Sequence, residues 1–371
     1  MKVVCTQENL SKGLAAVGHI ASKNANLPIL NNILLRAHQG TIQLSATNLE
    51  IGVTRRIRGK IETEGVCTIP GKVFTDYISL LSESTLTLEQ DGTTLIVKSD
   101  NGETRLHGLP ADDFPLIPQL ERTNGTTCPA KSIREGIAQV VFAAAADDAR
   151  PEISGVLLRF VGKQLLFVAT DSYRLAEKRI DCSGGVEREV SVIVPVRALQ
   201  ELLRVLGQEA GDVAIYLAEN QILFTTEETE VVSRLIDGQY PNYEQIIPVN
   251  HETEVIVETS AFLKAVRATS LFSRPGINDL TLHLQAAGQH LTLTAANTQV
   301  GENRQDVEAK IDGKENTIVF NSRYLLDGLA NLHDDTLIFQ MTNNASPGVF
   351  RPQKGAEKEG GYLYIIMPIK Q

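Results

Sequence analysis

Tryptophan is absent from this 371-residue sequence, and methionine and cysteine are rare, with three and four residues. Without Trp and without a basic loop rich in aromatic residues, the chain lacks the stacking platforms on which proteins bind single-stranded nucleic acid. Cys5, Cys67, Cys128 and Cys182 are scattered and form no C-x-x-C pair. We therefore expect buried, reduced thiols rather than a zinc site.

Long apolar runs are also missing. No stretch approaches the ~20 apolar residues that a membrane-spanning helix needs. The start of the chain, Met1–Cys5, turns polar too soon for a signal peptide. We therefore expect a cytoplasmic protein.

Catalytic patterns are missing as well. The seven histidines have no metal-ligand spacing, and no Ser-His-Asp or Cys-His arrangement stands out. The segment 65–73 is similar to a phosphate-binding loop, but five residues separate its glycines instead of four. Val73 also stands where Ser or Thr must hold magnesium. We predict a strand-to-helix turn there, and we expect no catalytic site, metal or cofactor.

The sequence does contain a repeat of about 125 residues, which is the sign of tandem domains. Ile33, Val156 and Leu280 hold equivalent positions, 123 and 124 residues apart. Four anchors recur in the same order in the three copies. They are 32–36, 155–159 and 279–283; 46–48, 169–171 and 295–297; 68–70, 193–195 and 318–320; and the closing segments 109–118, 235–248 and 367–368.

Each copy reads as strand–helix–strands, twice over. Apolar residues recur at helical spacing, as in Ile133, Ile137, Val140 and Val141, and tight-turn residues separate alternating strands. This pattern predicts an α+β domain in which two helices are flanked by antiparallel sheet. We predict domains at 1–120, 127–249 and 252–371. The predicted helices are 10–20, 72–81, 131–142, 196–206, 261–272 and 322–331.

The formal net charge of -10 argues at first sight against nucleic acid. The predicted helices, however, hold nine basic and four acidic residues, a net of +5. Solvated helix faces are the simpler interpretation, but recurrence in all three copies favours a surface that holds a polyanion. No helix-turn-helix or zinc-finger spacing is present, which argues against sequence readout.

Four segments resemble the family of the bacterial DNA polymerase III beta subunit, the sliding clamps. They are LPILNN at 27–32, ATDSYRLA at 169–176, DGQYPNY at 237–243 and YIIMPI at 364–369. The similarity covers the whole chain. It implies a head-to-tail homodimeric ring of six domains, with helices inside, sheets outside and a hole of roughly 25 Å. A B-form duplex passes through such a hole without base-specific contacts.

The resemblance implies a processivity factor rather than an enzyme. Its implied partners are double-stranded DNA, a second copy of the chain, the replicative polymerase, the clamp loader and other proteins that carry a short clamp-binding peptide. The implied DNA-binding residues are Lys12, Lys23, Asn24, Lys72, Lys131, Arg134, Arg150, Arg197, Arg204, Lys264 and Arg267.

The resemblance also implies a hydrophobic site for partner peptides and a ring contact. The peptide site comprises Ile153, Thr170, Ser172, Tyr173, Arg174, Leu175, Pro241, Ile246, Ile277, Asn321, Tyr324, Ser346, Pro347, Ile365, Met367, Pro368 and Ile369. The ring contact joins Leu271 and Phe272 to the strand with Arg105 and His107. Plain core packing is the alternative interpretation for Ile246, Ile365, Leu271 and Phe272.

The chain departs from the family pattern in three places. Asn24 stands where the family has a basic residue, and Pro151 and Glu152 stand where aromatics are frequent. Both departures weaken the assigned loop contacts to DNA. The end reads Ile369-Lys370-Gln371 instead of a basic residue followed by leucine, so partner preference is expected to differ.

Two other classes of function compete with a DNA clamp. One is a repeat-built scaffold that binds only proteins, and the other is an enzyme whose residues converge from loops. The basic helices favour the clamp over the scaffold, and the missing catalytic spacing disfavours the enzyme.

Overall fold

A computed structural model describes residues 1–21, 27–82, 84–123, 125–147, 149–185, 188–207, 211–353 and 361–370. The chain folds into two compact units. Unit 1 comprises Met1–Ala130 and Gln200–Leu235, and unit 2 comprises Lys131–Leu199 and Ile236–Gln371.

The helices in the described part of the chain are α1 Gln7–Val17, α2 Gly71–Leu80, α3 Ala130–Ala138, α4 Val196–Leu206, α5 Thr259–Ser270 and α6 Ser322–Ala330. The strands are β1 Lys2–Thr6, β2 Asn32–His38, β3 Thr41–Thr47, β4 Ile51–Ile57, β5 Lys60–Thr63, β6 Gly65–Pro70, β7 Thr85–Asp91, β8 Thr94–Ser99, β9 Gly102–His107, β10 Thr126–Pro129, β11 Gly155–Val161, β12 Gln164–Thr170, β13 Arg174–Asp181, β14 Val190–Pro195, β15 Asp212–Leu217, β16 Gln221–Thr225, β17 Thr229–Arg234, β18 Thr253–Glu258, β19 Asp279–Gln285, β20 His290–Asn297, β21 Gly301–Gly313, β22 Asn316–Asn321, β23 Thr336–Met341, β24 Gly348–Pro352 and β25 Tyr362–Ile366.

Unit 1 contains two antiparallel sheets. The larger has the order β10-β15-β16-β17-β4-β3-β2-β6, and the smaller has the order β5-β1-β7-β8-β9. The first repeat copy and part of the second share the larger sheet, because β4 pairs with β17 and places Val53 opposite Val231. Helix α1 packs its buried face, which includes Leu10 and Leu14, against this sheet.

Unit 2 is built on one sheet of twelve strands in the order β14-β11-β12-β13-β25-β24-β23-β18-β21-β20-β19-β22. Here the second and third copies share the sheet, because β13 pairs with β25 and places Leu175 opposite Ile365. Aromatic rings fill the core of the third copy. The rings of Phe339 and Phe350 stack with centroids 4.6 Å apart, and Phe320 meets both edge-on.

The strand registers confirm the tandem repeat. In successive copies Ile33 faces Ile69, Val156 faces Val194, and Leu280 faces Phe320 across the same strand pair. The third copy of the anchor predicted at 318–320 therefore lies one residue later, at 319–321. The antiparallel ladders confirm the predicted α+β fold, and β6 runs directly into α2 as predicted for the segment 65–73.

Glycine in the first helix is a further repeated feature, which we did not predict. A Cβ on Gly13 would lie 2.7 Å from Leu44, and a Cβ on Gly136 would lie 2.6 Å from Phe167. The two glycines are 123 residues apart, as are the two side chains that they contact. Glycine therefore allows the same close approach of helix to strand in both copies.

Three expectations need correction. Helix α1 begins three residues earlier than predicted, because the Thr6 hydroxyl accepts the Asn9 N–H and caps it. The helices consequently include Glu8 and hold nine basic and five acidic residues, a net of +4 rather than +5. Cys5 and Cys67 are free and buried, but Cys128 and Cys182 are disulfide-bonded and not reduced.

Candidate functional site

The segment 169–175 forms a tight turn at the end of β12. The Thr170 hydroxyl donates to the Arg174 carbonyl at 2.7 Å and accepts the Ser172 N–H at 3.1 Å. The Asp171 carboxylate accepts the backbone N–H groups of Tyr173 and Arg174, both at 2.9 Å. These bonds hold Ser172 at a φ of 77° and leave the Tyr173 side chain 62% exposed.

The Arg174 side chain makes more interactions than any other side chain of this turn. It donates to Asp171 at 2.9 Å, to Asp327 on α6 at 2.5 Å and to the Phe142 carbonyl at 2.8 Å. Its guanidinium also lies 4.5 Å from the centre of the Tyr324 ring. Burial opposes the charge of Arg174, but the neighbouring Tyr364, Asp327 and Asp171 outweigh it and raise its pKa. Arg174 therefore ties the turn to the third copy within unit 2.

An apolar cluster lies beside the turn on one face of the twelve-stranded sheet. Leu175 and Ile365 are fully buried within it. The cluster consists of Leu157, Val168, Leu175, Ile193, Tyr243, Val349, Leu363 and Ile365, with Ile236, Tyr240 and Ile247 packed against it. The Tyr240 hydroxyl donates to the Val168 carbonyl at 3.2 Å, and the Tyr243 hydroxyl donates to Glu177 at 2.7 Å. Two tyrosines thus fasten the segment after residue 235 onto the sheet.

The end of the chain lies against the same turn. The Met367 N–H donates to the Tyr173 carbonyl, and the Ile369 N–H donates to the Val319 carbonyl, both at 2.8 Å. Met367, Pro368 and Ile369 are half-buried. Gly348 faces Ile366 across the ladder, so the segment that contains Ser346 and Pro347 reaches the sheet at the same end as Met367.

The remaining predicted peptide-site residues differ in exposure. Ile246 and Ile277 are 42% and 44% exposed, so core packing does not explain Ile246. Ile365 is core, and so is Ile153, which precedes β11. Pro241 is half-buried in the segment fastened by the tyrosines. Asn321 caps α6 by accepting the Arg323 N–H at 2.9 Å.

The predicted DNA-binding residues on the helices fall into two groups. Lys12, Lys72 and Lys131 are exposed, and each pairs with an acid one turn further along or back on its own helix, at 2.6, 2.9 and 3.8 Å. Such exposed pairs are weak and leave the ammonium free to meet a phosphate. Arg197, Lys264 and Arg267 are exposed, and no ion pair involves them among the residues described.

Arg204 has a different environment. It donates to the carbonyls of Ala15 at 2.5 Å and of Ala16, and it pairs with the buried Glu201, which also accepts from His19 at 2.8 Å. The guanidinium therefore serves the C-terminal end of α1 within unit 1. Arg134 lies half-buried on α3. Lys23 and Asn24 lie outside the described residues.

Arg150 lies next to the turn 169–175, beside which the peptide site is predicted. It donates to the Ser172 hydroxyl at 2.8 Å and pairs with Glu152 at 3.2 Å. Glu152 is one of the positions at which the sequence departs from the family pattern. Arg150 thus has a local acidic partner, which reduces the positive field of this loop.

Two of the strands that have an unpaired edge among the residues described bear on the predicted ring contact. Strand β9, with Arg105 and His107 exposed, is the last strand of the five-stranded sheet. Strand β21 pairs with β18 only from Ala309 onward, so its first half is an edge. At the end of α5 Leu271 is 74% exposed, so core packing is wrong for this residue.

The sequence did not predict several side chains that contact the predicted peptide-site residues or the apolar cluster. Tyr240 and Tyr243 lie in the segment 237–243, which is one of the four that carry the family resemblance. Their position in the sequence did not indicate which residues they contact. Asp327 lies one turn after Tyr324 on α6, and this spacing was the available signal that both could meet Arg174.

No group of residues suited to hold a metal ion occurs in the part of the chain that the structure describes. Within the same residues, no helix is long and apolar enough to cross a membrane.

Comparison with known proteins matches these features to one family. The profiles of the N-terminal, central and C-terminal domains of the DNA polymerase III beta subunit match residues 1–118, 127–242 and 244–370. The beta sliding clamp of Synechococcus elongatus is 32% identical over 376 residues, covering 100% of this chain and 99% of the relative. That of Synechocystis sp. is 29% identical over 392 residues, covering 100% and 99%.

Solved structures agree with the sequence comparison. The DNA polymerase sliding clamp of Bacillus subtilis has a TM-score of 0.94 at 27% identity, covering 100% of this chain and 99% of that one. The sliding clamp of Bartonella birtlesii, solved with griselimycin, has a TM-score of 0.93 at 28% identity and full coverage of both chains. The chain therefore belongs to the family of the bacterial DNA polymerase III beta subunit, the DNA sliding clamps.

Proposed function

We propose that this sliding clamp closes as a head-to-tail homodimer around duplex DNA and tethers the replicative polymerase to it. The observation that carries the proposal is the separation of charge. The helices have a net charge of +4 in a chain of -10, so the remainder carries about -14. A surface that attracts a polyanion on an otherwise repelling molecule suits a ring that holds DNA only at its inner face.

Long-range attraction without base contacts is what sliding requires. Lys12, Lys72, Lys131, Arg197, Lys264 and Arg267 supply it in this proposal. Arg204 contributes less, because its donors already serve Glu201 and α1. The three domains 1–120, 127–249 and 252–371 each bring two helices, and two chains bring twelve.

Closure of the ring by edge strands has support in the exposed surface. Strand β9 presents Arg105, and the edge half of β21 presents Glu302 and Glu308. Strands with unpaired backbone groups are ready to pair with another chain. The exposed Leu271 adds an apolar contact beside the edge. Because the two surfaces differ, the contact is heterologous and closes at two copies.

Partner proteins bind, in this proposal, beside the turn 169–175. Exposed Tyr173 and half-buried Met367 meet at this turn, and exposed Ile246 directly precedes Ile247, which packs against the buried apolar cluster. Such a surface fits a short peptide with apolar side chains, and methionine adapts to several partners. The polymerase, the clamp loader and other DNA-processing proteins are the proposed owners of that peptide. The chain acts in the cytoplasm as a processivity subunit without chemistry of its own.

Retention on DNA tests the proposal. Protein loaded by a clamp loader onto nicked circular DNA should remain bound through gel filtration at moderate salt. Linearising the same DNA should release it. Equal retention before and after linearisation would show ordinary binding and contradict encirclement.

A further inference from the structure

In unit 1 a cavity of about 600 Å³ lies between the eight-stranded sheet and the segment 111–122, which covers it. This volume lies within the range of ligand sites. Phe114, Ile117, Leu223 and Val232 provide apolar walls, and Arg36, Arg56 and Arg122 reach its rim.

The second copy explains why the first has a cavity. Residues 123 positions apart along β2–β4 and β11–β13 correspond, because the two hairpins share one register. The strand residues beneath the covering segment form the floor of the cavity. In unit 2 the corresponding floor residues are large and apolar, because Val168 and Leu175 occupy the positions of Ser45 and Gly52. Tyr240 and Tyr243 cover that floor and donate hydrogen bonds into it.

The first copy has smaller and more polar residues at these places. Ser45 and Thr54 bond to each other at 3.0 Å on the floor. Phe114 and Ile117 lie 126 residues before the two tyrosines and have no hydroxyl to donate. Ile117 packs directly over Gly52, because a Cβ there would lie 2.8 Å from the Ile117 side chain. The cavity of about 600 Å³ lies around this contact, between the smaller floor residues and the covering segment.

The charges at the rim are unbalanced. One oxygen of Glu230 accepts from both Arg56 and Arg122, the latter at 2.7 Å. The equivalent of Arg36 in the second copy is Arg159, which binds Glu189 and Glu244. No ion pair involves Arg36 within the described ranges, and Pro118 stands where the second copy has Glu244. Asp112 also lines the cavity, so three guanidiniums face two carboxylates, of which Glu230 is already held by Arg56 and Arg122. The excess positive charge attracts anions.

We propose that this cavity is a second protein-binding site, which takes a short acidic and hydrophobic peptide segment of a partner. Apolar side chains of the peptide lie between the segment 111–122 and Val232, and its carboxylates bind Arg36 and Arg122. The apolar walls favour a peptide over a nucleic acid backbone. The proposal is independent of the tethering site in unit 2 and of ring closure.

Isoleucine methyl NMR of the full chain provides a direct test. The probe is a hexapeptide that alternates leucine with glutamate, and the comparison peptide alternates leucine with lysine. The acidic peptide should shift the Ile117 methyl signals while those of Ile193 and Ile365 stay in place. A duplex oligonucleotide should leave Ile117 unchanged.

Two variants separate the site from non-specific binding. Arg36→Ala with Arg122→Ala should weaken the acidic peptide about tenfold or more, as expected for loss of charge-assisted hydrogen bonds. Ile117→Tyr places the side chain of the second copy in the cavity and should weaken it similarly, and its methyl spectrum verifies folding. The control Arg58→Ala removes an exposed arginine outside the cavity and should change nothing.

Four results would overturn the proposal. They are no shift at Ile117, equal binding of the lysine peptide, unchanged affinity in both variants, and shifts confined to Ile193 and Ile365. A shift of Ile117 by the oligonucleotide at the same affinity would assign the arginines to phosphate instead.

Discussion

At the residue scale, the proposed peptide site of unit 2 depends on one cation. Arg174 joins Asp171, Asp327, the Phe142 carbonyl and the Tyr324 ring, and its side chain is only 11% exposed. The resemblance identified Arg174, but only one of its contacts, Asp171, is close to it in the sequence. The other three come from 32 or more residues away, and no local pattern encodes such pairings.

Arg174→Ala should lower the free energy of unfolding by about 2–4 kcal/mol, because it leaves carboxylates and a carbonyl without a buried donor. Urea unfolding followed by tyrosine fluorescence measures the change. Lys314→Ala, which breaks an exposed pair with Glu252 at 3.1 Å, serves as the control and should cost under about 0.5 kcal/mol. Similar losses in both variants would contradict the role given to Arg174.

Met367→Ala should weaken a fluorescein-labelled clamp-binding peptide about tenfold, as expected for truncating an apolar anchor. The bond to Tyr173 uses the backbone of Met367 and should survive, so dimerisation should not change. Fluorescence anisotropy measures the affinity. The matched control is Lys370→Ala, which changes an exposed residue three positions after Met367. If both variants bind the peptide as tightly as the unmodified chain, the peptide site lies elsewhere.

At the scale of elements, the periodicity of the sequence located all six described helices and both ends of α4, but it misplaced at least one end of each of the others. Helix α3 ends at Ala138, although apolar spacing predicted helix to residue 142. The apolar residues 140 and 143 are buried in a separate helical turn at Val141–Ala143. Periodicity reports which residues are buried, and a short 3-10 turn buries them as well as an α-helix does.

Helix α5 should matter most for DNA among the basic helices, because neither Lys264 nor Arg267 has an ion pair in the residues described. Lys264→Ala with Arg267→Ala should reduce the salt dependence of DNA binding by about two counterions. Titrations between low and moderate salt measure that slope. Lys310→Ala with Lys314→Ala removes equal charge from strand β21 and the following turn. If this control has the same effect, helix placement of charge is irrelevant.

A second test of the helices concerns α3. Lys131→Glu with Arg134→Glu should reduce retention on DNA, more strongly at low salt, because repulsion of phosphates is less screened there. Binding of the clamp-binding peptide should remain as in the parent, which shows that the variant is folded. Undiminished retention would place α3 away from DNA.

At the scale of the whole molecule, the repeat was visible in the sequence because core positions keep their register through 123–125 residues. In the proposed function, differences between the copies underlie the separate sites. The second and third copies are joined where Leu175 pairs with Ile365, at the proposed peptide site. The first copy has Gly52 at the position of Leu175. The spacing of residues in the sequence did not show how this difference alters the packing of the covering segment.

Ring closure should depend on the end of α5. Leu271→Asp should shift the chain from dimer to monomer at micromolar concentration, because it places a charge in an apolar contact. Sedimentation velocity measures the change. Val249→Asp makes the same kind of substitution at a residue 94% exposed and should leave the dimer intact. A dimeric Leu271→Asp would place the contact elsewhere.

Encirclement of DNA is the central claim, and the lifetime of the clamp on linear DNA tests it most directly. The protein is loaded onto a linear duplex whose ends are either free or blocked by bound streptavidin, and its dissociation is followed at one salt concentration. A topologically held clamp should leave quickly through free ends and stay when both are blocked. Equal lifetimes on the two substrates would contradict the account.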